Sequence, residues 1–142
     1  LNPDKVRQFT AMQYTWNLFN TLGMCIFTCG PGKLMKMHQV AEALAAATGW
    51  DSRLFEIMKL GERTVTLKRC VLVRQGATRA DDRLPDRFFE PLEGGRLKGR
   101  ALDRAEFERA LDLYYDMHGW DRNGIPTPGK LVELGLGWVR LP

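Results

Sequence analysis

The stretch Asp51-Ser52-Arg53-Leu54-Phe55-Glu56-Ile57-Met58-Lys59-Leu60-Gly61-Glu62-Arg63-Thr64-Val65-Thr66-Leu67-Lys68-Arg69-Cys70-Val71-Leu72-Val73-Arg74-Gln75-Gly76 decides the fold class. Two readings compete for it. Thr64-Val65-Thr66 and Val71-Leu72-Val73 are rich in β-branched residues, which favours strand. Against that, Leu54, Met58, Val65 and Leu72 are compatible with one helical face. Asp51 suits an N-cap, Trp50 and Phe55 are spaced as a hydrophobic staple, and Gly76 closes the segment. Helix is the better account, and with it the chain becomes all-α.

Working outward, Lys33 to Ala47 reads as a helix ended by Gly49, a residue suited to a left-handed C-terminal cap. Asp4 to Leu22 places Phe9, Met12, Trp16 and Phe19 at three- and four-residue steps, the mark of one apolar helical face. Between these helices, Gly23 to Gly32 carries four glycines or prolines among apolar residues, a loop that buries itself against something. Downstream, Ala77 to Arg100 reads as a charged connection through Pro85, Pro91 and Gly94-Gly95. Asp103 to His118 is again helical, with Asp103 and Glu106 as a capping box and Leu102 with Phe107 as a staple. Its buried face is expected to be Phe107, Leu111 and Tyr114. A turn region from Trp120 to Thr127 leads into a last short helix, capped by Thr127, opened by Pro128 and stopped by Gly135. The expected architecture is a single all-α domain over residues 1–142, an irregular set of helices joined by long loops.

Composition narrows the function classes. Hydrophobic residues make up 44% and charged residues 27%, values of a packed globular chain rather than a disordered one. No apolar run approaches the ~20 residues of a membrane-spanning helix, and no charged-then-apolar leader opens the chain. No membrane partner is expected. The first residue is Leu1 rather than Met, so a piece processed or excised from a longer parent is expected. A net charge of +4 raises nucleic acid as a partner, but acids interleave with the bases, as in Asp86-Arg87, Asp103-Arg104 and Glu108-Arg109. A salt-bridged surface, with no nucleic acid bound, is the expectation. Three cysteines cannot all pair within one chain, so free thiols in a reducing cytoplasm are expected.

The usual catalytic constellations are absent. The two histidines, His38 and His118, stand alone, and there is no phosphate loop or zinc-binding helix motif. The exception is Asn20-Thr21-Leu22-Gly23-Met24-Cys25-Ile26-Phe27-Thr28-Cys29-Gly30. A cysteine in a glycine-flanked apolar loop is either a small buried hydrophobe or a ligand to a bulky metal centre. Residue types alone leave both open.

Asn20-x-x-Gly23-Met24-Cys25 resembles the Asp-x-x-Gly-Leu-Cys loop of the tungsten-pterin aldehyde:ferredoxin oxidoreductase family. Thr48-Gly49-Trp50, Gly61-Glu62-Arg63 and Asp81-Asp82-Arg83-Leu84-Pro85-Asp86-Arg87 then appear in the family's order. So do Tyr114-Tyr115-x-x-His118-Gly119-Trp120-Asp121-x-x-Gly124-Ile125-Pro126-Thr127 and Lys130-Leu131-x-Glu133-Leu134-Gly135-Leu136. The ordered set spans Asn20 to Leu136 and is similar to that family's C-terminal helical domain.

The resemblance implies an oxidoreductase that converts aldehydes to carboxylic acids and passes electrons to ferredoxin. It implies tungsten held by two pterins, with a [4Fe–4S] cluster beside them. Cys25 would be the fourth cluster ligand, three others coming from earlier in the parent. Ile26 would contact a pterin. Asn20 stands where the family usually has an aspartate on the pterin ring; an amide can still donate and accept hydrogen bonds there. No catalytic acid or base is assigned in this chain, and Cys29 is read as packing. Gly61 is read as permitting close helix packing, Glu62 with Arg63 as an ion pair, Trp120 as an anchor, Asp121 as a turn residue and Asp81-Asp82-Arg83 as a structural connection. The expected partners are the N-terminal domains of the same enzyme and ferredoxin. By itself the piece is expected to carry no cofactor and no activity, and to form a homo-oligomer through apolar surface around Trp16, Phe19 and Phe27. Two rivals of other classes are a basic nucleic-acid-binding module and a thiol sensor using Cys25 and Cys29.

Overall fold

The structure is a computed structural model that describes residues 1–29 and 34–142, with Cys29 described in its backbone alone. It is helical, as expected: α1 Pro3–Thr21, α2 Ile26–Cys29, α3 Met37–Thr48, α4 Leu54–Arg74, α5 Arg104–His118 and α6 Pro128–Glu133. Two 3₁₀ turns, Arg79–Asp81 and Asp86–Phe89, interrupt the long connection before α5. Among the described residues extended pairing is limited to an isolated bridge between Trp120 and Pro126.

Helix ends obey side-chain chemistry where the cap is local. The Asn2 side chain accepts the Lys5 N–H at 2.9 Å to open α1. Gly49 ends α3 at φ 73°, the left-handed cap expected of it. Thr127 caps α6, with Pro128 in its first turn and Gly135 beyond it at φ 63°. Asp103 accepts the Glu106 N–H at 2.7 Å, but the Glu106 carboxylate turns to the Leu1 amino group at 3.1 Å, so the expected box is half formed.

Two expected starts move. Helix α4 begins at Leu54 rather than after an Asp51 cap, because Glu56 reaches back to the Arg53 N–H at 3.0 Å and satisfies it from three residues on. Trp50 and Phe55 do not form a staple, being 63% and 69% exposed. Likewise α3 starts at Met37, where Gln39 accepts the Lys36 N–H at 2.8 Å. The expected start at Lys33, like Gly30 to Gly32 of the loop, lies outside the described residues. Within that loop, Ile26–Cys29 forms one helical turn.

Helix α4 is the centre of the fold, packed against both α1 and α3. Its buried face is Ile57, Gly61, Glu62, Val65, Thr66, Arg69, Cys70 and Val73. The expected face through Leu54 and Leu72 is corrected: both are exposed, because four of the inward positions are Gly, Glu, Thr and Arg and carry no hydropathy signal. The β-branched residues tolerate the helix. Thr64 hydrogen-bonds the Leu60 carbonyl at 3.0 Å, and Val65 and Val73 pack inward. Gly61 lies directly on α1, since a Cβ there would sit 2.3 Å from the Tyr14 carbonyl oxygen. Farther along the same seam the Thr21 and Thr64 hydroxyls meet at 2.9 Å, and Lys68 donates to the Asn17 side chain at 2.7 Å.

Three apolar clusters fill the interior. One joins Leu18 and Phe19 of α1 to Val40, Ala41 and Ile57. Another packs Val65, Tyr115 and Trp120 beside Tyr14 and Tyr114. The last gathers Cys70 with Leu131, Leu134, Leu136 and Val139. Phe19 is therefore core, and Phe9, expected inside, is 57% exposed. On α5 the fully buried positions are Tyr115 and His118, while the expected Phe107, Leu111 and Tyr114 are half-buried.

Buried charge ties the irregular segments to α4. Arg69, 5% exposed, meets both oxygens of Asp82 (2.9 and 2.8 Å), donates to the Gly124 carbonyl at 2.7 Å, and lies over the Trp120 ring. Tyr115 donates its hydroxyl to the same Asp82 carboxylate. Glu62 is held by Lys59 (2.7 Å) and Lys130 (2.8 Å), rather than by Arg63, which donates to the Leu134 carbonyl. Glu133 completes that cluster, and Lys130 and Lys59 hold its carboxyl at about 2, far below the usual carboxylate range.

This packing generates two measurable outcomes. Gly61→Ala drives a methyl into the α1 backbone and costs on the order of 3 kcal/mol, read as a lower urea midpoint. His118 is fully buried with its Nδ1–H donating to the Tyr114 carbonyl at 2.8 Å, and burial pushes it down to about 4 from 6.5. The folded state thus resists a proton that the unfolded chain accepts. Stability is full above about 6.5 and falls as the pH drops towards 4, by up to about 3 kcal/mol. Urea titrations across that range check it, since a His118→Gln variant loses this part of the slope.

Candidate functional site

Cys25 is placed by the way α1 stops. Gly23 comes after the helix at φ 67°, a conformation that costs an L-residue a clash between Cβ and the backbone. Its N–H bonds the Asn20 carbonyl at 3.3 Å, and the next N–H, of Met24, bonds the Phe19 carbonyl at 2.9 Å. These two bonds are a Schellman stop, and Met24 supplies the accompanying apolar contact by packing into the Phe19 cluster. The chain leaves the stop at Cys25, whose own carbonyl accepts the Thr28 N–H at 2.9 Å and so starts α2. The Cys25 backbone is held on both sides. Its thiol is free and exposed.

The surroundings of that thiol are apolar yet face outward. Ile26 is 41% exposed, Phe27 76% and Leu34 86%. Asn20 sits exposed on the last turn of α1. The expected site residues Asn20, Cys25 and Ile26 thus occupy one short segment at the end of α1, with Phe27 beside them. Of the expected apolar surface, Phe27 is exposed as expected, whereas Trp16 is half-buried and Phe19 wholly buried; Ile26 and Leu34 are exposed in addition. Leu34 and the anchoring role of Met24 are not legible as site features in the sequence. The five-residue step from Phe19 to Met24 across a glycine is the signal that could reveal the stop.

Other chemistry-bearing groups are committed elsewhere. Cys70 is 1% exposed among Leu131, Leu134 and Leu136, where burial pushes its thiol up, and it does not join Cys25. The Cys29 side chain lies outside the described residues. His38 is on the surface and His118 in the core. Asp82 is engaged with Arg69 and Tyr115, Asp81 accepts the Thr78 N–H, and Asp121 accepts the N–H groups of Asn123 and Ile125, so each of these carboxylates has partners within the chain. Trp120 is 6% exposed, an anchor as expected. Among the described residues no group of three or more His, Cys, Asp or Glu could hold a metal ion. What the segment offers is one free thiol, on a hydrogen-bonded backbone, beside exposed apolar side chains.

Residues 1–136 match the family described as aldehyde ferredoxin oxidoreductase, domains 2 and 3. The chain is 33% identical over 139 residues to a tungsten-containing aldehyde ferredoxin oxidoreductase of Pyrococcus furiosus, covering 96% of this chain and 22% of that protein. It is 31% identical over 137 residues to the WOR-like subunit of an aliphatic sulfonate oxidoreductase from the same organism, covering 89% and 21%. The chain therefore spans about a fifth of the length of these relatives. Its helices also superpose on the active-site complex BamBC of benzoyl coenzyme A reductase solved with 1,5-dienoyl-CoA. The TM-score is 0.82 over 97% of this chain and 20% of that one, at 24% identity, a likeness of fold. By the extent of the family match and by these identities, the chain belongs to the aldehyde ferredoxin oxidoreductase family.

Proposed function

We propose that this chain is one part of a cytoplasmic tungsten-pterin oxidoreductase that oxidises aldehydes to carboxylic acids and passes the electrons to ferredoxin. In this reading Cys25 is one of four thiolates around a [4Fe–4S] cluster, the other three coming from polypeptide outside these 142 residues. The observation that carries it is the free, exposed thiol held directly beyond the stop of α1. A buried cysteine would read as packing. An exposed one on an ordered backbone, ringed by Ile26 and Phe27, reads as half of a contact.

The donor set fits the cluster in one respect and sets its limit in another. A thiolate is the ligand such clusters take, and an apolar surround tunes the cluster's potential. One thiolate cannot hold a cluster alone, and no other thiol among the described side chains reaches this one. Cys25 would hold one corner of the cluster, and Ile26 and Asn20 would line the pterin. The bound groups would supply a two-electron acceptor for the conversion of an aldehyde and water to a carboxylic acid and two protons, and a one-electron relay beside it. Ile26 supplies an apolar wall for the pterin and excludes water there. Asn20 offers a neutral amide that donates or accepts a hydrogen bond to the pterin, without the charge of a carboxylate. His118 is wholly buried and engaged with the Tyr114 carbonyl, so in this reading it takes no part as a general acid or base. Proton handling belongs to residues outside this chain.

Charge and surface are consistent with this assignment. Arg69, Arg79, Arg104, Lys59 and Lys130 are each engaged with carboxylates, which leaves them unavailable as a phosphate-binding stripe. No helix of the described residues is long and apolar enough to cross a membrane. Ile26, Phe27 and Leu34 are the surface on which the N-terminal domains would close, and without them this surface favours self-association.

The experiment is a thiol deletion in the intact enzyme, purified without oxygen. Cys25→Ala is expected to lose most of its cluster iron and its aldehyde oxidation, while far-UV circular dichroism stays unchanged. The 142-residue chain purified by itself is expected to be colourless and inactive. A full iron complement in the variant, or a brown isolated chain with stoichiometric iron and sulfide, overturns the reading.

A further inference from the structure

We propose that Gly23 is a positioning residue for the Cys25 sulfur: its left-handed backbone aims the thiol outward, and Met24 pins that aim to the core. The proposal rests on the reading of Cys25 as a cluster ligand. What it adds is the device that holds the ligand before any partner arrives.

The chain of cause is short. Backbone at φ 67° is open to glycine and strained for residues with a Cβ. With Gly23 in that conformation, the Met24 N–H turns back onto the Phe19 carbonyl, 2.9 Å away, and the Met24 side chain enters the cluster of Leu18, Phe19 and Ile57. The peptide groups on either side of the Met24-Cys25 pair are then fixed, one by that bond and the other by the Cys25 carbonyl, which accepts the Thr28 N–H. A relaxed, negative φ at residue 23 breaks the Met24 bond and swings everything after it, the sulfur included. Metal–ligand lengths hold to within about 0.2 Å, so a swing of this kind is felt by the cluster.

The fold also contains a clean control. A Cβ on Gly23 meets nothing within 4 Å, so a substitution there adds backbone strain and no steric clash. Gly49 is its match, at φ 73° beyond the end of α3, again with nothing within 4 Å of its Cβ. The two glycines carry similar strain and differ in the segment each leads into. Only Gly23 leads to a thiol.

The test compares Gly23→Ala, Gly23→Asn, Gly49→Ala and Cys25→Ser in the intact enzyme. Gly23→Ala is expected to retain iron roughly five- to thirtyfold less well under chelator challenge, the factor that left-handed strain at one residue represents. It also shifts the paramagnetic resonance spectrum of the reduced cluster. Gly23→Asn, whose side chain tolerates the left-handed region, restores both. Gly49→Ala loses comparable thermal stability and leaves iron retention and spectrum unchanged. Unchanged iron retention and spectrum in Gly23→Ala, or an equal disturbance from Gly49→Ala, overturns the proposal. If Gly23→Ala does not accumulate, Gly23→Ser is judged by the same criteria. Full iron and an unaltered spectrum in Cys25→Ser sink the ligand reading itself, whatever Gly23 does.

Discussion

The close approach of α1 to α4 at Gly61 is the constraint on which the rest of the structure depends. A hydrogen in place of a side chain lets the Tyr14 carbonyl come within 2.3 Å of where a Cβ would stand. At that distance dispersion contacts along both helices are made together, and the threonine and lysine bonds farther along the seam become possible. The consequence reaches the segment that carries Cys25. Helix α1 is held by α4, its last turn buries Leu18 and Phe19, and the Schellman stop hangs on that turn. The position of Cys25 is thus set by helix packing in the middle of the domain.

The same helix carries two buried charges, and they do a different job. Glu62 and Arg69 are 7% and 5% exposed, and each would be costly if left alone. Both are answered by parts of the chain distant in sequence, two of them irregular and one a short helix. Arg69 collects Asp82, from the connection after α4, and Gly124, from the turn before α6. Glu62 collects Lys130 at the start of α6. Net stability from such pairs is small, because desolvation offsets most of the attraction. Their contribution is to specificity: a connection that folded elsewhere would leave a charge buried without its partner. This is why a long, proline- and glycine-broken segment can still have one conformation.

Legibility in the sequence divides along the range of the interaction. Features decided within one helical turn read correctly, such as Gly49, Asp103, and Thr127 with Pro128 and Gly135. The features that read wrongly are decided by something farther away, or by two local signals in competition. Asp51 has the chemistry of an N-cap, but Glu56 satisfies the Arg53 N–H instead. The inward face of α4 is hard to read because Gly61, Glu62, Thr66 and Arg69 are inward for reasons hydropathy does not record. Gly61 is there for close approach, and Glu62 and Arg69 for partners distant in sequence. The glycine and the tryptophan anchor are legible from the ordered resemblance, which carries information about tertiary contacts that periodicity lacks.

The misplaced apolar residues share a direction of error. Phe9, Trp50, Leu54, Phe55 and Leu72 read as inward in the sequence, and all are exposed. An amphipathic pattern reports that a side chain is dry in the working protein, without saying what dries it. The chain spans about a fifth of its relatives' length, and in the enzyme proposed above the remaining polypeptide would supply that drying. Ile26, Phe27 and Leu34 around Cys25 belong to the same class of residue. For Ile26 and Phe27 the direction of exposure is informative, since the backbone leading into them is fixed at Gly23 and Met24 and the side chains are still exposed. An ordered segment that keeps apolar groups and a thiol in water is carrying a cost. In the enzyme proposed above, contact with a surface that takes both the hydrocarbon and the sulfur would remove that cost.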